Sequence, residues 1–233
     1  MSEDIAKFNA AQAALDFVKD SMIVGLGTGS TSASFVRQLG ERVRQGLRVK
    51  GVPTSEATRN LAEQVGVPLL EISQITSIDV DVDGADEVDP AFRLIKGGGG
   101  ALLREKIVAA ASKKMVVIAD ESKWVETLGA FPLPVEVTRF GFALTQERVA
   151  RALRDTGCAG DEVALRVSGK ANEPVITDGG NYILDAHARR IPNPEALGAA
   201  LKNIAGVVEH GLFIGLSQVV ILGKAKGAEV KTL

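Results

Sequence analysis

Residues 22–31 read MIVGLGTGST, and this stretch decides the fold class. The apolar run MIVGL (22–26) predicts a short buried strand, because strands covered on both faces are continuously apolar. The glycine-rich GTGST (27–31) follows at once. Apolar residues then recur with helical spacing at Ala33, Val36, Leu39 and Val43. A strand, a glycine turn and a helix in direct succession predict an α/β unit with a parallel sheet.

The same alternation of strand and helix continues through the first 128 residues. Further strands are predicted at 48–52, 77–82 and 115–119, and a helix at 101–112. The first helix is expected to bury the face formed by Ile5, Phe8, Leu15 and Val18. The predicted fold class is therefore α/β, with a Rossmann-like, largely parallel sheet and helices on both faces.

The pattern changes at FPLP (131–134), where the prolines favour extended backbone. The predicted order beyond it is strand 134–138, helix 144–155, strands 161–168, 173–177 and 181–186, helix 194–203 and strand 206–209. This order is close to the split β-α-β-β-α-β pattern, which indicates an inserted, smaller α+β domain of ferredoxin-like type. We predict a Rossmann-like catalytic domain over 1–129 and 206–233, and an inserted domain over 130–205.

The tail carries two strand-like runs, GLFIGLSQVVILG (211–223) and GAEVKTL (227–233). Both are expected to return to the first sheet.

Composition narrows the function classes. The chain has 27 Lys and Arg against 29 Asp and Glu, a net charge of −2, which argues against bulk electrostatic binding to nucleic acid or an anionic membrane. Its single cysteine, Cys158, fits a reducing compartment. The start, MSEDIAKF, lacks a signal pattern, and apolar runs stay well below the ~18 residues of a membrane span. We therefore expect a cytoplasmic protein with no nucleic-acid or membrane partner.

Glycine marks three loops. GLGTGST (25–31) offers amides, hydroxyls and a helix N-terminus to an anion, although a tight turn with a Ser or Thr N-cap explains it equally well. DGADE (83–87) taken alone favours a solvated turn, because Asp-Gly is a common turn pair, but its three acids lie at the end of a strand, where open α/β sheets bind ligands. KGGGG (96–100) precedes a helix. Ordering four consecutive glycines costs much conformational entropy, which is hard to justify for a purely structural loop and therefore favours a functional use.

Glu105 follows the third loop. At ~100° per residue it lies about 200° from Leu103, which forms an apolar face with Ile107. Periodicity therefore predicts that Glu105 faces solvent, or a cleft at the edge of the sheet.

Other site chemistries have little support in the sequence. One cysteine and two histidines, His187 and His210, make no Cys/His zinc set, and no G-x-S-x-G nucleophile motif occurs. Carboxylates, lysines and backbone amides suit proton abstraction next to a carbonyl, with a stabilised oxyanion. We expect no metal and no cofactor.

Four segments, in this order and spacing, resemble the signatures of type A ribose-5-phosphate isomerases: GLGTGST (25–31), DGADEVDP (83–90), KGGGGALLREK (96–106) and ADESK (119–123). The resemblance runs essentially the whole length of the chain and includes FPLPVEV (131–137), GNYILD (180–185) and the GVV…GLF segment (206–213). It implies an aldose–ketose isomerase that interconverts D-ribose 5-phosphate and D-ribulose 5-phosphate in the non-oxidative pentose phosphate pathway. It also implies metal-free proton transfer and a homodimer or larger homo-oligomer.

The same resemblance assigns roles. Glu105 is the base that moves a proton between C2 and C1. Asp83 and Asp86 contact sugar hydroxyls, and Asp83 helps to open the furanose ring. The enediolate is stabilised by Lys96 and the amides of Gly97, Gly98 and Gly99. The remaining substrate-binding residues are Lys7, Thr28, Gly29, Ser30, Thr31, Gly84, Ala85 and Lys123. Glu121 places a negative charge close to Lys123 in the chain.

Three other functions fit a related architecture. A coenzyme A transferase would use Glu105 as a nucleophile, but an adenine-binding feature is not evident. A non-catalytic sugar-phosphate sensor would normally carry a DNA-binding module, for which the first 20 residues leave no room. A hydrolase or deaminase of phosphosugars would be expected to bring a catalytic histidine or an extra acid.

Overall fold

The computed structural model describes residues 2–169 and 172–233. The helices are α1 Ser2–Ala14, α2 Ser30–Arg44, α3 Glu56–Val65, α4 Leu102–Ala111, α5 Phe142–Asp155 and α6 Pro194–Lys202. The strands are β1 Ile23–Leu26, β2 Lys50–Pro53, β3 Val80–Gly84, β4 Glu87–Val88, β5 Leu94–Ile95, β6 Met115–Asp120, β7 Leu133–Val137, β8 Glu162–Leu165, β9 Val167–Ser168, β10 Glu173–Pro174, β11 Tyr182–His187, β12 Val207–His210, β13 Leu212–Phe213, β14 Ser217–Lys224 and β15 Gly227–Thr232. Within the described ranges, none of these helices is long and apolar enough to cross a bilayer.

The chain divides into two compact units. The first comprises Met1–Ala85, Arg104–Trp124 and Gly215–Leu233. The second comprises Asp86–Leu103 and Val125–Ile214. The predicted domain boundaries, with an inserted domain over 130–205, stay a prediction.

The first unit is built on a six-stranded sheet in the order β15-β14-β6-β3-β1-β2. All neighbours pair in parallel except β15, which runs antiparallel to β14. Apolar side chains of α1 and α2 pack with Val24 and Val82 on one side of the sheet, whereas Val108 of α4 packs with Val52 on the other. The predicted parallel sheet with helices on both faces is confirmed.

The predicted buried face of the first helix is confirmed only beyond the end of α1, where Val18 is buried and Leu15 packs against the core; within α1 it is wrong. Ile5 and Phe8 are about half exposed, and the buried positions of the helix are Ala6, Ala10, Ala11 and Ala14. The reason is a close approach to β14, where a Cβ built on Gly223 would lie 1.9 Å from the carbonyl oxygen of Ala6. A helix this close to a strand accepts only small side chains on its inner face.

The second unit contains a four-stranded antiparallel sheet in the order β12-β7-β11-β8, with α5 and α6 packed in its core. The chain order of these elements is β-α-β-β-α-β, so the predicted ferredoxin-like domain type is confirmed. The predicted strand 173–177 is shorter: only Glu173–Pro174 pairs as a strand, in a hairpin with β9.

A three-stranded sheet, β13-β5-β4, completes the second unit. Its edge strand β13, Leu212–Phe213, pairs with β5. The prediction that the whole tail joins the first sheet is therefore wrong for GLF (211–213), and it is confirmed for β14 and β15. The sequence pattern does not tell these strands apart; they differ in their pairing partners, since β13 pairs with β5 and β14 pairs with β6.

Candidate active site

The first glycine loop connects β1 to α2 in the first unit. Gly29 is the residue before the helix and has φ of 114°, a conformation that favours glycine. Its carbonyl accepts the first helical hydrogen bond, from Ala33 N at 2.8 Å. Gly29 and Ser30 are exposed and Thr31 is half-buried. The helix N-terminus is thus open to solvent, as an anion site requires.

Asp83 lies at the carboxyl end of β3 and is fully buried. Its Oδ1 accepts hydrogen bonds from Thr28 N at 3.1 Å, from Ser32 Oγ at 3.1 Å and from Gly84 N at 2.7 Å. These three hydrogen bonds fix the orientation of the carboxylate. Two predicted site residues, Thr28 and Asp83, are therefore brought together, with Gly84 adjoining them.

The Thr28 side chain lies in a cluster of hydroxyl groups that sequence reasoning missed. Its Oγ1 is 2.8 Å from Thr54 Oγ1, 2.9 Å from Ser55 Oγ and 3.2 Å from Thr58 Oγ1. Ser55 is also the N-cap of α3. The available signal was PTSEAT (53–58), a hydroxyl-rich segment directly after a predicted strand. Binding residues of α/β sheets are expected at such strand ends.

Glu105 occupies the first turn of α4 and is only 3% exposed. The prediction from periodicity that it faces solvent is wrong, and so is the assignment of Ile107, which is 49% exposed, to the buried face. The buried positions of α4 are Leu102, Glu105, Val108 and Ala109. Glu105 is thus a carboxylate at a position spaced like a core residue, although carboxylates are seldom fully buried.

The inner face of α4 is set by its contact with β1. A Cβ built on Gly25 would lie 2.6 Å from Val108 Cγ1, so this strand position has room only for glycine. Val108 is one helical turn beyond Glu105, and the two side chains share a face. The glycine in β1 therefore admits the face of α4 that carries the carboxylate.

The neighbour of Glu105 in the chain, Arg104, joins α4 to α3. Its Nη1 donates to Glu56 Oε1 at 2.7 Å. That hydrogen bond lowers the pKa of the Glu56 carboxyl from its ordinary value. Both residues of the ion pair line a cavity of about 460 Å³, together with Val52, Leu70 and Ile107.

Asp86 and the glycine loop belong to the second unit. Asp86 Oδ2 accepts a hydrogen bond from Gly98 N at 2.8 Å, and Asp86 N donates to Ile95 O at 2.9 Å. Gly98 and Gly99 are exposed, whereas Gly97 is buried. A tight turn closes the loop through Gly100 N and Gly97 O at 3.0 Å. The loop therefore presents exposed backbone beside a carboxylate.

Lys96 begins this loop and is 2% exposed. Its Nζ lies 5.5 Å from the centre of the Phe213 ring, and its backbone N donates to Gly211 O at 2.9 Å. Burial disfavours a charged ammonium, and the face of an aromatic ring offsets part of that penalty. Phe213 is a further residue to which the sequence analysis assigned no role.

The two remaining predicted lysines lie in the first unit and are half-buried, Lys7 on α1 and Lys123 at the end of a 3₁₀ turn, Glu121–Lys123. That turn is capped by Asp120, whose Oδ1 accepts from Ser122 N at 3.0 Å. Glu121 Oε1 is 3.3 Å from Lys224 Nζ. Glu121 is thus an ion-pair partner of Lys224.

A parallel sheet with a glycine loop, a buried acid on a strand end and a buried acid on a helix defines a class: an α/β protein equipped for acid–base chemistry on a small anionic ligand. The family model for ribose 5-phosphate isomerase A (phosphoriboisomerase A) matches residues 50–227. The ribose-5-phosphate isomerase A of Afipia carboxidovorans is 57% identical over 230 residues, 99% of this chain and 97% of the relative. The chain therefore belongs to the ribose 5-phosphate isomerase A family.

Solved structures agree. That of ribose 5-phosphate isomerase A from Methanocaldococcus jannaschii has a TM-score of 0.88 at 41% identity and covers 98% of both chains. A D-ribose-5-phosphate isomerase in complex with phospho-erythronic acid has a TM-score of 0.91 at 38% identity and covers 100% of both chains.

Proposed function

We propose that this protein interconverts D-ribose 5-phosphate and D-ribulose 5-phosphate in the non-oxidative pentose phosphate pathway. Family membership supports the reaction class and the substrate. The observation that carries the proposal is Glu105, a carboxylate that is 3% exposed yet lies in the first turn of a helix. A helix N-terminus stabilises negative charge, and burial excludes the water that would otherwise solvate a base.

The reaction requires a base and an anion site. Glu105 takes the proton from C2 of the open-chain aldose, and the C–H electrons form the C1–C2 double bond while the aldehyde oxygen becomes negative. A proton moves from the oxygen on C2 to the oxygen on C1. The C2 carbonyl then forms, and Glu105 returns its proton to C1. Because the C2 proton is weakly acidic, the developing oxyanion needs preorganised donors.

The residues of the first unit supply binding and the base. Asp83 contacts sugar hydroxyls and assists ring opening, and its orientation is fixed by the hydrogen bonds from Thr28 and Ser32. Residues 28–31, with Gly84 and Ala85, line the substrate. Lys7 and Lys123 attract the phosphate, whose binding away from the reacting carbons orients the sugar.

The residues of the second unit supply the anion stabilisation. Lys96 and the amides of the glycine loop donate to the enediolate, and Asp86 contacts a hydroxyl. These groups provide charge stabilisation without a metal or a cofactor. Phospho-erythronic acid, bound by a related enzyme, carries a carboxylate whose two oxygens share one negative charge as an enediolate does. We therefore use it as a mimic of the intermediate.

The decisive experiment is isomerase activity on ribose 5-phosphate with a chelator present, comparing the wild type with Glu105→Gln. The wild type should turn over and the variant should lose a factor of ~10² or more in kcat. Glu63→Gln, at an exposed position of α3, is the matched control and should retain full activity.

The alternatives give different outcomes. An active Glu105→Gln variant would move the base to Asp83 or Asp86. Binding without turnover in the wild type would favour a sugar-phosphate sensor, and a covalent acyl adduct on Glu105 from acyl-CoA would favour a transferase. Loss of activity on chelation would refute metal-free chemistry.

The assembly and location are also part of the proposal. The family resemblance supports a homodimer or larger homo-oligomer, and the single cysteine supports a cytoplasmic location. Light scattering on the purified chain tests the first, because a mass near the monomer's 24.5 kDa would contradict it.

A further inference from the structure

Arg166 links β8 to β9 and reaches the glycine loop within the second unit. Both backbone polar groups of Arg166 are hydrogen-bonded: its N–H donates to Ile183 O at 2.8 Å, and its carbonyl oxygen accepts from Val175 N at 2.9 Å. Its side chain is 15% exposed. From there Nη1 donates to Gly97 O at 2.8 Å and to Gly98 O at 3.2 Å.

The guanidinium is itself held by Asp185 on β11. Arg166 Nε donates to Asp185 Oδ2 at 2.9 Å, and Nη2 donates to Oδ1 at 2.5 Å. A planar guanidinium that meets a carboxylate in this two-bond arrangement has a fixed orientation. The third nitrogen, Nη1, is therefore aimed at the loop by the pair that forms on the opposite edge.

Peptide geometry turns this contact into an orientation of donors. In a planar trans peptide the C=O and the following N–H point in opposite directions. With the carbonyls of Gly97 and Gly98 directed at Arg166, the N–H groups of Gly98 and Gly99 point away from it. The Gly98 N–H indeed donates to Asp86 Oδ2 at 2.8 Å.

Charge adds to geometry. A cation at a carbonyl oxygen polarises that peptide group, so its N–H becomes a stronger donor. Consecutive glycines also have the largest conformational freedom to lose on ordering. The carbonyl contacts with Arg166 select one of the many conformations that this loop could adopt.

We propose that Arg166, held by Asp185, is a positioning residue for the oxyanion donors of the Lys96–Gly100 loop. It orients the Gly99 amide toward the oxyanion of the enediolate, and it holds the Gly98 amide on the Asp86 carboxylate. The ferredoxin-like sheet then contributes to catalysis, since β11 carries Asp185 and the connection from β8 to β9 carries Arg166. This inference rests on the proposed isomerase function.

The experiment compares Arg166→Met, Arg166→Lys and Asp185→Asn with the wild type. Arg154→Met is the matched control, because Arg154 also pairs with an aspartate, Asp161 at 2.7 Å, on an exposed face of the same unit. Arg166→Met should lower kcat by ~10- to 100-fold with KM changed less than threefold, since the donors act mainly in the transition state. Arg166→Lys and Asp185→Asn should lie between.

A second measurement separates positioning from general structural damage. The dissociation constant of phospho-erythronic acid should rise by the same factor as kcat/KM falls, while that of inorganic phosphate stays within threefold. The amide resonances of Gly98 and Gly99 should shift in Arg166→Met and Asp185→Asn, but not in Arg154→Met. This readout does not depend on activity.

The outcomes are distinguishable. A wild type without isomerase activity refutes the proposed function. The amide resonances then still test whether the Arg166–Asp185 pair orients the Lys96–Gly100 loop. An active wild type with an Arg166→Met variant equal to Arg154→Met refutes the inference. So does a loss confined to KM. If Arg166→Met does not fold, Arg166→Lys and Asp185→Asn decide by the same criteria.

Discussion

The backbone amide of Thr28 donates to Oδ1 of Asp83 at 3.1 Å, which ties the loop after β1 to the carboxyl end of β3. The two strands are direct neighbours in the sheet. Gly27 lies between them and permits the bond, because a Cβ there would be 2.0 Å from Asp83 Oδ1 and 2.6 Å from Asp83 Cα. The position of the carboxylate therefore depends on a missing side chain in the adjoining loop.

Gly27→Ala should therefore displace Asp83. The added methyl group meets backbone, which cannot rotate away, and we expect a loss of about 1–3 kcal/mol of unfolding free energy. The value of kcat on ribose 5-phosphate should fall at least tenfold. Gly179→Ala is the control, since its nearest contacts begin at 3.4 Å. Denaturant unfolding and steady-state kinetics measure both effects, and equal stability of the two variants would contradict this account.

The hydroxyl cluster around Thr28 predicts a second effect on stability. Thr58 Oγ1 donates to the buried carbonyl of Gly27 at 3.0 Å, so Thr58→Val removes a donor at nearly constant volume. We expect the unfolding free energy to fall by about 1–3 kcal/mol. Thr138→Val removes an exposed hydroxyl and should change stability little. Chemical denaturation measures both; a Thr58→Val variant as stable as Thr138→Val would show that the cluster is not structural.

Parts of this architecture follow from local sequence alone. Gly27 directly follows β1, and the acids of DGADE (83–87) lie at or just beyond the carboxyl end of β3, as predicted. Both positions were predictable because apolar runs and turn chemistry are short-range signals. Helix faces were less predictable. The close approach of Gly223 in β14 leaves room only for alanines on the inner face of α1. In the same way, Gly25 in β1 makes room for the face of α4 that carries Val108. In both cases a residue far along the chain decides which helix face is buried.

The residues that support the site were beyond sequence reasoning. Arg166 is 69 residues from Gly97, and an isolated arginine between two strands resembles any surface arginine. Its role arises from the antiparallel pairing of β8 with β11, which places Asp185 beside it. Contacts of this kind depend on the completed fold, whereas the glycine loops can be recognised from their local composition.

Glu229 on β15 gives a pH-dependent prediction. Hydrogen bonds from Lys224 at 2.8 Å and Lys231 at 2.6 Å lower the pKa of the Glu229 carboxyl from 4.5 to about 2. The folded pKa lies below the unfolded one, so the stabilisation is complete above about pH 4.5 and disappears as the pH falls through about 2. Carbon-13 NMR of the Glu229 carboxyl should show this titration.

The lysine partners provide the check. Lys224→Gln should raise the Glu229 pKa toward 4.5, because it removes the larger contribution. Lys19→Gln, an exposed lysine on another segment, should leave it unchanged. A Glu229 carboxyl that titrates near 4.5 in the wild type would contradict the ion-pair geometry.

The contact of Lys96 with Phe213 predicts a graded effect on catalysis. Fluorine atoms on the Phe213 ring weaken the attraction of its face for a cation while barely changing its size, and a buried cation–π contact is worth about 2 kcal/mol. Successive fluorination should therefore lower kcat stepwise, up to ~30-fold in total, if the charge of Lys96 is held by the ring. The matched control is Phe17, whose ring lies 5.7 Å from Lys114 Nζ in the first unit, and its fluorination should leave kcat unchanged. A kcat that is independent of fluorine number at Phe213, but falls in Phe213→Leu, would make the ring a packing group and leave the position of Lys96 to its backbone bond with Gly211.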